Sequence, residues 1–400
     1  MDLLEPMVQP YAWGSLTAIA ELQGRPVPAA GPEAELWMGA HPSAPSGLGR
    51  AGVHTTLDAV IAADPAGELG ATCAARFGGR LPFLLKVLAA EIALSIQVHP
   101  SREQAEAGFR AETERGLPPG DKRRNYVDDW PKPEMLCALT RFEVLAGMRT
   151  AADAAGFLGE LGVGELAPVA AGLAAATGPD ALTTALGLVL SWPEGDRAAL
   201  IAAVVAACDR VAASDGGYAP ACRAIVRVAA GHPGDLGIVA ALLLRHVALR
   251  PGQAVFLPAG GLHSYLHGTG VEILANSDNV VRAGLTGKYV DVAELLKLTD
   301  PAVEVPVIEP RALGGGVSVY DTPAPEFRLY RAELDATPVT LPGNGPRVLL
   351  CADGTVTLRA ARGGGLTAGR GQSCFLSAAD GAVTAAGPSR LLLAESGVDC

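Results

Sequence analysis

Between residues 93 and 100 the chain alternates, with Leu94, Ile96 and Val98 on one side and Ser95, Gln97 and His99 on the other. Strand side chains point alternately to opposite faces, so this spacing predicts a strand with one packed face and one face of potential ligands. Pro100 ends the run and biases His99 towards an extended backbone. The wider run 81–100 and the stretch 34–42 are the two loaded segments of a region, up to about residue 150, that mixes short strands with helices. From about 151 to 246 the period changes. Ala/Leu-rich blocks at helical spacing, broken at Gly178-Pro179, Trp192-Pro193, Ala219-Pro220 and His232-Pro233, predict a helical subdomain whose apolar stripes serve packing. Strand character returns at 249–258, where Pro251-Gly252 predicts a turn before a buried strand. A Gly-rich bend at Gly260-Gly261 then leads to His263 and His267. Beyond about 310 only short strands are expected, with Asp353-Gly354 as a hairpin signal and turns at 363–365, Asp380-Gly381 and Gly387-Pro388. This last region holds no histidine and reads as a β-sandwich or jelly roll with a structural role. The chain is therefore expected to be mainly β with a helical insert: 1–150 together with 247–307, then 151–246, then 308–400.

Composition narrows the picture. The 400 residues include 49 glycines and 30 prolines, about a fifth of the chain and without a period, which favours turns between short strands over a bundle. The length suggests two or three domains. Mean hydropathy is +0.27, yet the apolar runs around 181–192 and 198–208 are too short to span a bilayer and end at charges or breakers. Residues 1–6 lack a basic region and a long apolar core, so no secretory signal is expected and the cytoplasm is the expected compartment. Seven cysteines, at 73, 137, 208, 222, 351, 374 and 400, form no Cys-x-x-Cys pair; they read as reduced, mostly buried residues with Cys400 in the tail, and none as a metal ligand. A net charge of −11 opposes nucleic-acid binding. An anionic small molecule would need a local group of Lys and Arg to overcome that field.

Candidate chemistry concentrates in few places. Gln97, His99, Glu134 and His263 offer nitrogen and oxygen donors suited to Zn²⁺ or a similar divalent ion. One carboxylate against a +2 ion leaves about one positive charge to polarise a carbonyl or hold an oxyanion, which suits a working metal over a structural one. Taken singly each has an ordinary reading: a hydrogen-bonded histidine near a core, a salt-bridged strand glutamate, or, for His263 and His267, loop caps. His41, His54, His232 and His246 look like surface, turn or helix-end residues. Glu272 in an apolar strand and Arg282 after Val280-Val281 are costly to bury without partners, so they serve either a site or a structural ion pair. Arg282, Lys288, Lys132 and Lys86 supply the positive charge an anionic substrate needs.

Several blocks, in conserved order, resemble the type I phosphomannose isomerase family: Tyr11-Ala12-Trp13-Gly14, the AELWMGAHPSAP run ending at Pro45, LPFLLKVL from Leu81, ALSIQVHP from Ala93, KPEMLCALTRFEVLAGMR from Lys132 and SDNVVRAGLTGK from Ser277. The helical insert and the last ninety or so residues match in texture only. The resemblance implies a cupin-type fold: a metal-bearing jelly roll, a helical subdomain and a second jelly roll without metal. It implies zinc ligands at Gln97, His99, Glu134 and His263 and an active-site arginine at Arg282, with Ser95, Lys86, Lys132, Glu272, Tyr265 and Lys288 lining a sugar-phosphate pocket. One departure is Pro131, where family members often carry a histidine. The implied reaction is conversion of mannose 6-phosphate to fructose 6-phosphate through an enediolate, with Glu272 as the first choice of base. Phosphate is expected to be gripped by Ser95 with Lys and Arg side chains. The implied protein is a cytoplasmic monomer that acts on a small molecule, without nucleic acid or membrane. Fe(II) oxygen chemistry at the same donors and a non-catalytic sugar-phosphate sensor are the alternatives.

Overall fold

Two large antiparallel sheet systems carry the chain, one of 11 strands and one of 12, with helices between residues 151 and 243 packed on the first. The computed structural model describes residues 1–398 apart from Pro119 and Pro179. The expected break at Pro179 and the expected tail position of Cys400 lie outside the described residues.

The first sheet system is organised by one long strand, His263–Ala275. Its first half pairs with Ile96–Val98 and Phe142–Met148, its second half with Phe83–Ala90 and Glu134–Ala138. The bend between the halves falls at Gly268, whose φ of 130° favours glycine. A Cβ there would lie 2.6 Å from the Arg141 carbonyl oxygen. Alternation sorts the faces as expected. Ile96 and Val98 join the apolar core shared with the helices, and Leu85, Val87, Met135, Val271 and Ile273 join a core shared with the second sheet system. The intervening Lys86, Glu134 and Glu272 are left facing inward.

The helices form for local reasons. Thr150 caps Ala151–Leu161 by accepting from the Asp153 backbone N–H, and Gly162 closes that helix in the left-handed conformation. In Glu194–Ala212, Leu200, Val204, Cys208 and Val211 recur at helical spacing on the buried side. Pro220 sits in the first turn of Ala219–Gly231 and starts that helix instead of breaking one.

The second sheet system differs from expectation at one point. Asp353-Gly354 makes no hairpin: the strand Arg347–Ala360 runs through it, and its pairing with Ser389–Glu395 shifts register between Cys351 and Asp353. Gly354 has φ 74°, and a Cβ there would meet the Pro388 carbonyl at 2.1 Å. The glycine thus serves a bulge that bends a long strand from one sheet into another. The N-terminal strand Asp2–Glu5 also joins this system, pairing with Ser373–Leu376 and Gly47–Arg50.

Candidate metal centre and active site

Strand register gathers the polar residues. Gln97 lies between two neighbours, opposite His263 on one side and Arg282 on the other. Glu272 lies opposite Lys86. Glu134 begins its strand opposite Leu274 and Leu257. A cavity of about 530 Å³ opens above these strands, and Ser95, Gln97, Lys86, Lys132, Glu134, Tyr265, Glu272, Arg282 and Lys288 all line it. His99 and His263 lie buried beside Glu134. Every residue singled out from the sequence as a site candidate is therefore brought to one place.

The two imidazoles are fixed from behind. His99 Nδ1 donates to the Asn279 carbonyl at 2.7 Å and His263 Nδ1 donates to the Gly261 carbonyl at 2.9 Å. Both Nε2 lone pairs therefore turn towards Glu134, at 3.3 Å from Oε1 for His99 and 3.3 Å from Oε2 for His263. Burial outweighs the attraction of Glu134 and pushes the His99 pKa down to about 4, so this ring is neutral at pH 7. Burial would raise the Glu134 carboxyl, but the neighbouring His99, Lys132 and His263 side chains hold it well below its usual range. Acceptor thus faces acceptor, and His99 Nε2 and Glu134 Oε2 have no hydrogen-bond partner among the described residues. Ligand atoms of His99, Glu134 and His263 lie within 4.8 Å of one another. Buried lone pairs that converge without protons between them fit a divalent cation. The Gln97 amide, 3.3 Å from His263 Nε2, presents an oxygen in place of its nitrogen after a half-turn.

Around this centre the charges are linked. Lys86 Nζ lies 3.4 Å from both Glu35 and Glu272 and stacks 4.8 Å over the Trp37 ring, while Lys132 Nζ is 3.3 Å from Glu134. Burial pulls the Lys86 pKa down, yet the surrounding carboxylates hold it above its ordinary value. Burial and the Glu134 charge, opposed by Lys86, raise the Glu272 carboxyl to about 7. Burial and the nearby Glu272 keep the Tyr265 phenol protonated. Arg282 has no carboxylate partner among the described residues, and burial alone lowers its pKa. Burial and Arg282 lower that of Lys288. A half-buried guanidinium without a carboxylate partner among the described residues, with Lys288 beside it, is arranged to receive an anion.

Other residues were not singled out from the sequence. Glu35 accepts from the Trp37 indole at 2.7 Å and pairs with Lys86; a charge inside the apolar strand Glu35–Met38 was the available signal, the same that marked Glu272. Asp278 lines the cavity 3.4 Å from His41 Nε2. His41 corrects the expectation of a surface or turn residue, because it is buried against the edge of Trp37. His246 is a strand residue bonded to Glu143 at 3.2 Å. His232 does end a helix and His54 is exposed, although His232 also lines the cavity and bonds the Ala93 carbonyl.

A jelly roll holding an imidazole–carboxylate–imidazole cluster under a cation-lined cavity defines a metal-binding cupin. Residues 1–151 match the family described as phosphomannose isomerase type I, catalytic domain. The chain is 35% identical over 395 residues to mannose-6-phosphate isomerase of Escherichia coli, with 98% of each chain covered, and 31% identical over 380 residues to the Bos taurus enzyme of that name, with 88% of each covered. Its fold superposes on a phosphomannose isomerase variant from Salmonella typhimurium with a TM-score of 0.91 at 32% identity and 100% coverage of both chains. A zinc-bound mannose 6-phosphate isomerase gives a TM-score of 0.89 at 33% identity, with 99% of each chain covered. The chain belongs to the type I phosphomannose isomerase family.

Proposed function

We propose that this protein interconverts mannose 6-phosphate and fructose 6-phosphate with one zinc ion held by Gln97, His99, Glu134 and His263. The observation that carries the reading is the pair of buried acceptors without a hydrogen-bond partner among the described residues, His99 Nε2 and Glu134 Oε2, beside the cavity that Arg282 lines. The names of the relatives support isomerisation over oxygen chemistry or mere binding. Zinc bound there supplies a residual positive charge that polarises the sugar carbonyl region.

This chain's own residues do the rest. Lys288 and Ser95 grip the phosphate, and Lys132 beside Glu134 adds to the positive field, so a remote group orients the reacting carbons. Glu272, a buried carboxylate beside Lys86, accepts the C2 proton and returns it at C1 while the hydroxyl proton passes from O2 to O1. Lys86 lies 3.4 Å from that carboxylate and stabilises it before transfer. Arg282 holds the charge that develops on the enediolate oxygens. Tyr265, buried at the cavity wall, keeps a neutral hydroxyl towards the sugar. The reading divides the chain into a metal-bearing jelly roll from 1–150 and 247–307, a helical subdomain at 151–246 and a structural jelly roll from 308. The six described cysteines are buried thiols, which suits the cytoplasm.

A coupled assay on mannose 6-phosphate, run with and without chelator, tests the proposal. Turnover should vanish on chelation and return with Zn²⁺. Full activity in metal-free protein would refute it.

A further inference from the structure

A second cleft, of about 360 Å³, lies away from the metal centre and shares no lining residue with its cavity. It is walled by Arg76, Arg80, Arg102, Phe77, Trp130 and Pro325. The residues come from four stretches distant in sequence: the end of the helix Ala71–Arg76 and the turn after it, the start of Arg102–Glu114, the segment before Lys132, and a loop of the second sheet system.

The guanidiniums are placed by the aromatic rings. Arg80 lies 4.4 Å over the Trp130 ring and Arg102 5.9 Å from it, Arg76 lies 5.8 Å over Phe77, and the two rings are 6.0 Å apart. A guanidinium lying on a ring face uses its plane and leaves its N–H edge free. Arg102 bonds the buried Glu326 at 2.9 Å. Among the described residues the guanidinium of neither Arg76 nor Arg80 has a carboxylate or carbonyl partner, and each brings five N–H donors. Three guanidiniums against the Glu326 and Glu103 carboxylates beside Arg102 leave one net positive charge in a chain whose overall charge is −11. Like charges gathered on an acidic protein repel one another, and a dianion between them relieves that repulsion while accepting forked hydrogen bonds.

We propose that this cleft is a second anion site for a phosphoryl group, whether free or carried on a sugar or nucleotide, and that Arg76 and Arg80 are its principal ligands. Its volume accommodates a phosphoryl group with a further unit attached.

Calorimetric titration of the zinc-loaded protein with inorganic phosphate, and separately with ADP, tests the site. The double variant Arg282→Ala with Lys288→Ala removes the cavity's own anion grip and isolates the cleft. Binding of one phosphate or ADP per chain should persist in that background, and adding Arg80→Glu should weaken it by about tenfold or more. Tighter binding of ADP than of phosphate identifies an extended diphosphate as the occupant; equal binding identifies the phosphoryl group alone. Arg76→Glu and the neutral Arg80→Gln provide independent variants should Arg80→Glu misfold, and unchanged mannose 6-phosphate turnover in otherwise wild-type protein reports that each one folds. Absence of binding in the Arg282/Lys288 background, or binding unchanged by all three arginine substitutions, overturns the proposal. The isomerase assay on wild-type protein is independent of either result.

Discussion

In the first sheet system the strand His263–Ala275 bends at Gly268, and in the second the strand Arg347–Ala360 bends at Gly354. Each strand sends alternate residues towards the other system: Val271 and Ile273 from one, Val348 and Leu350 from the other, all in one shared core. The opposite faces differ. The first strand turns His263, Tyr265 and Glu272 inward, beside Lys86 and Glu134. The second turns Leu349, Cys351, Val356 and Leu358 into an apolar cluster with Leu376, Val383 and Leu393, and the buried charge at its start, Arg347, is satisfied by the Gly343 and Gly381 carbonyls. One backbone device therefore supports two outcomes, and the inward alternate positions decide which. An apolar interior stabilises by burial alone, whereas a polar one must satisfy each buried charge with a partner or a ligand.

The sharpest way to break this comparison is to remove a charge from the polar interior. Glu134→Gln should abolish bound zinc and lower turnover by about a thousandfold or more, because the two imidazoles lose the anion that offsets the ion. Metal analysis together with the coupled assay checks this, and a variant that retained zinc and turnover would contradict the ligand assignment. Arg282→Ala should act differently. Zinc content should stay at the wild-type level while kcat falls by about a hundredfold or more, the size expected for loss of a charge aimed at a developing oxyanion. Parallel loss of metal and rate would make Arg282 a structural residue.

The apolar interior should respond in the reverse sense. Leu349 is fully buried, so Leu349→Ala should cost about 2–5 kcal/mol of stability through lost transfer energy and a residual cavity. Turnover per folded molecule should be unchanged. Urea unfolding measures the first, and the assay normalised to folded protein measures the second. A large fall in kcat would show that the two interiors communicate.

Much of this contrast is legible in the amino-acid order. The alternation around Gln97 and His99 fixes which face packs, and a lone charge in an apolar strand, as at Lys86 or Glu272, marks an inward position. The absence of histidine after His267 separates the two interiors equally well. What stays hidden depends on long-range contact. Asp353-Gly354 carries a hairpin signature because a left-handed glycine serves a tight turn and a bulge alike; only the approach of Pro388 distinguishes them. His41 reads as a turn residue because its partners, Trp37 and Asp278, meet only through folding. The carbonyls of Asn279 and Gly261 that orient the two imidazoles carry no side-chain signal, so no motif announces them.

The smallest expected effect concerns the join between the helices and the first sheet system. Glu143, on the strand Phe142–Met148, bonds His246 on the neighbouring strand at 3.2 Å and also Arg227 on the helix Ala219–Gly231. The hydrogen bond from His246, with Arg227 adding to it against the effect of burial, holds the Glu143 carboxyl down at about 2, below its ordinary value of 4.5. A carboxyl whose folded pKa lies below its unfolded one contributes stability that is fully present above about pH 4.5 and is lost as pH falls towards 2. Because Glu143 and Arg227 are partly open to solvent, the contribution is about 1 kcal/mol or less. Glu143→Gln should therefore lower the urea midpoint slightly at pH 7, and the gap from wild type should close progressively between pH 4.5 and pH 2. A gap that held constant across that range would mean that the residue acts through shape, and that the helices are anchored by their shared apolar core with Ile96, Val98 and Leu145 alone.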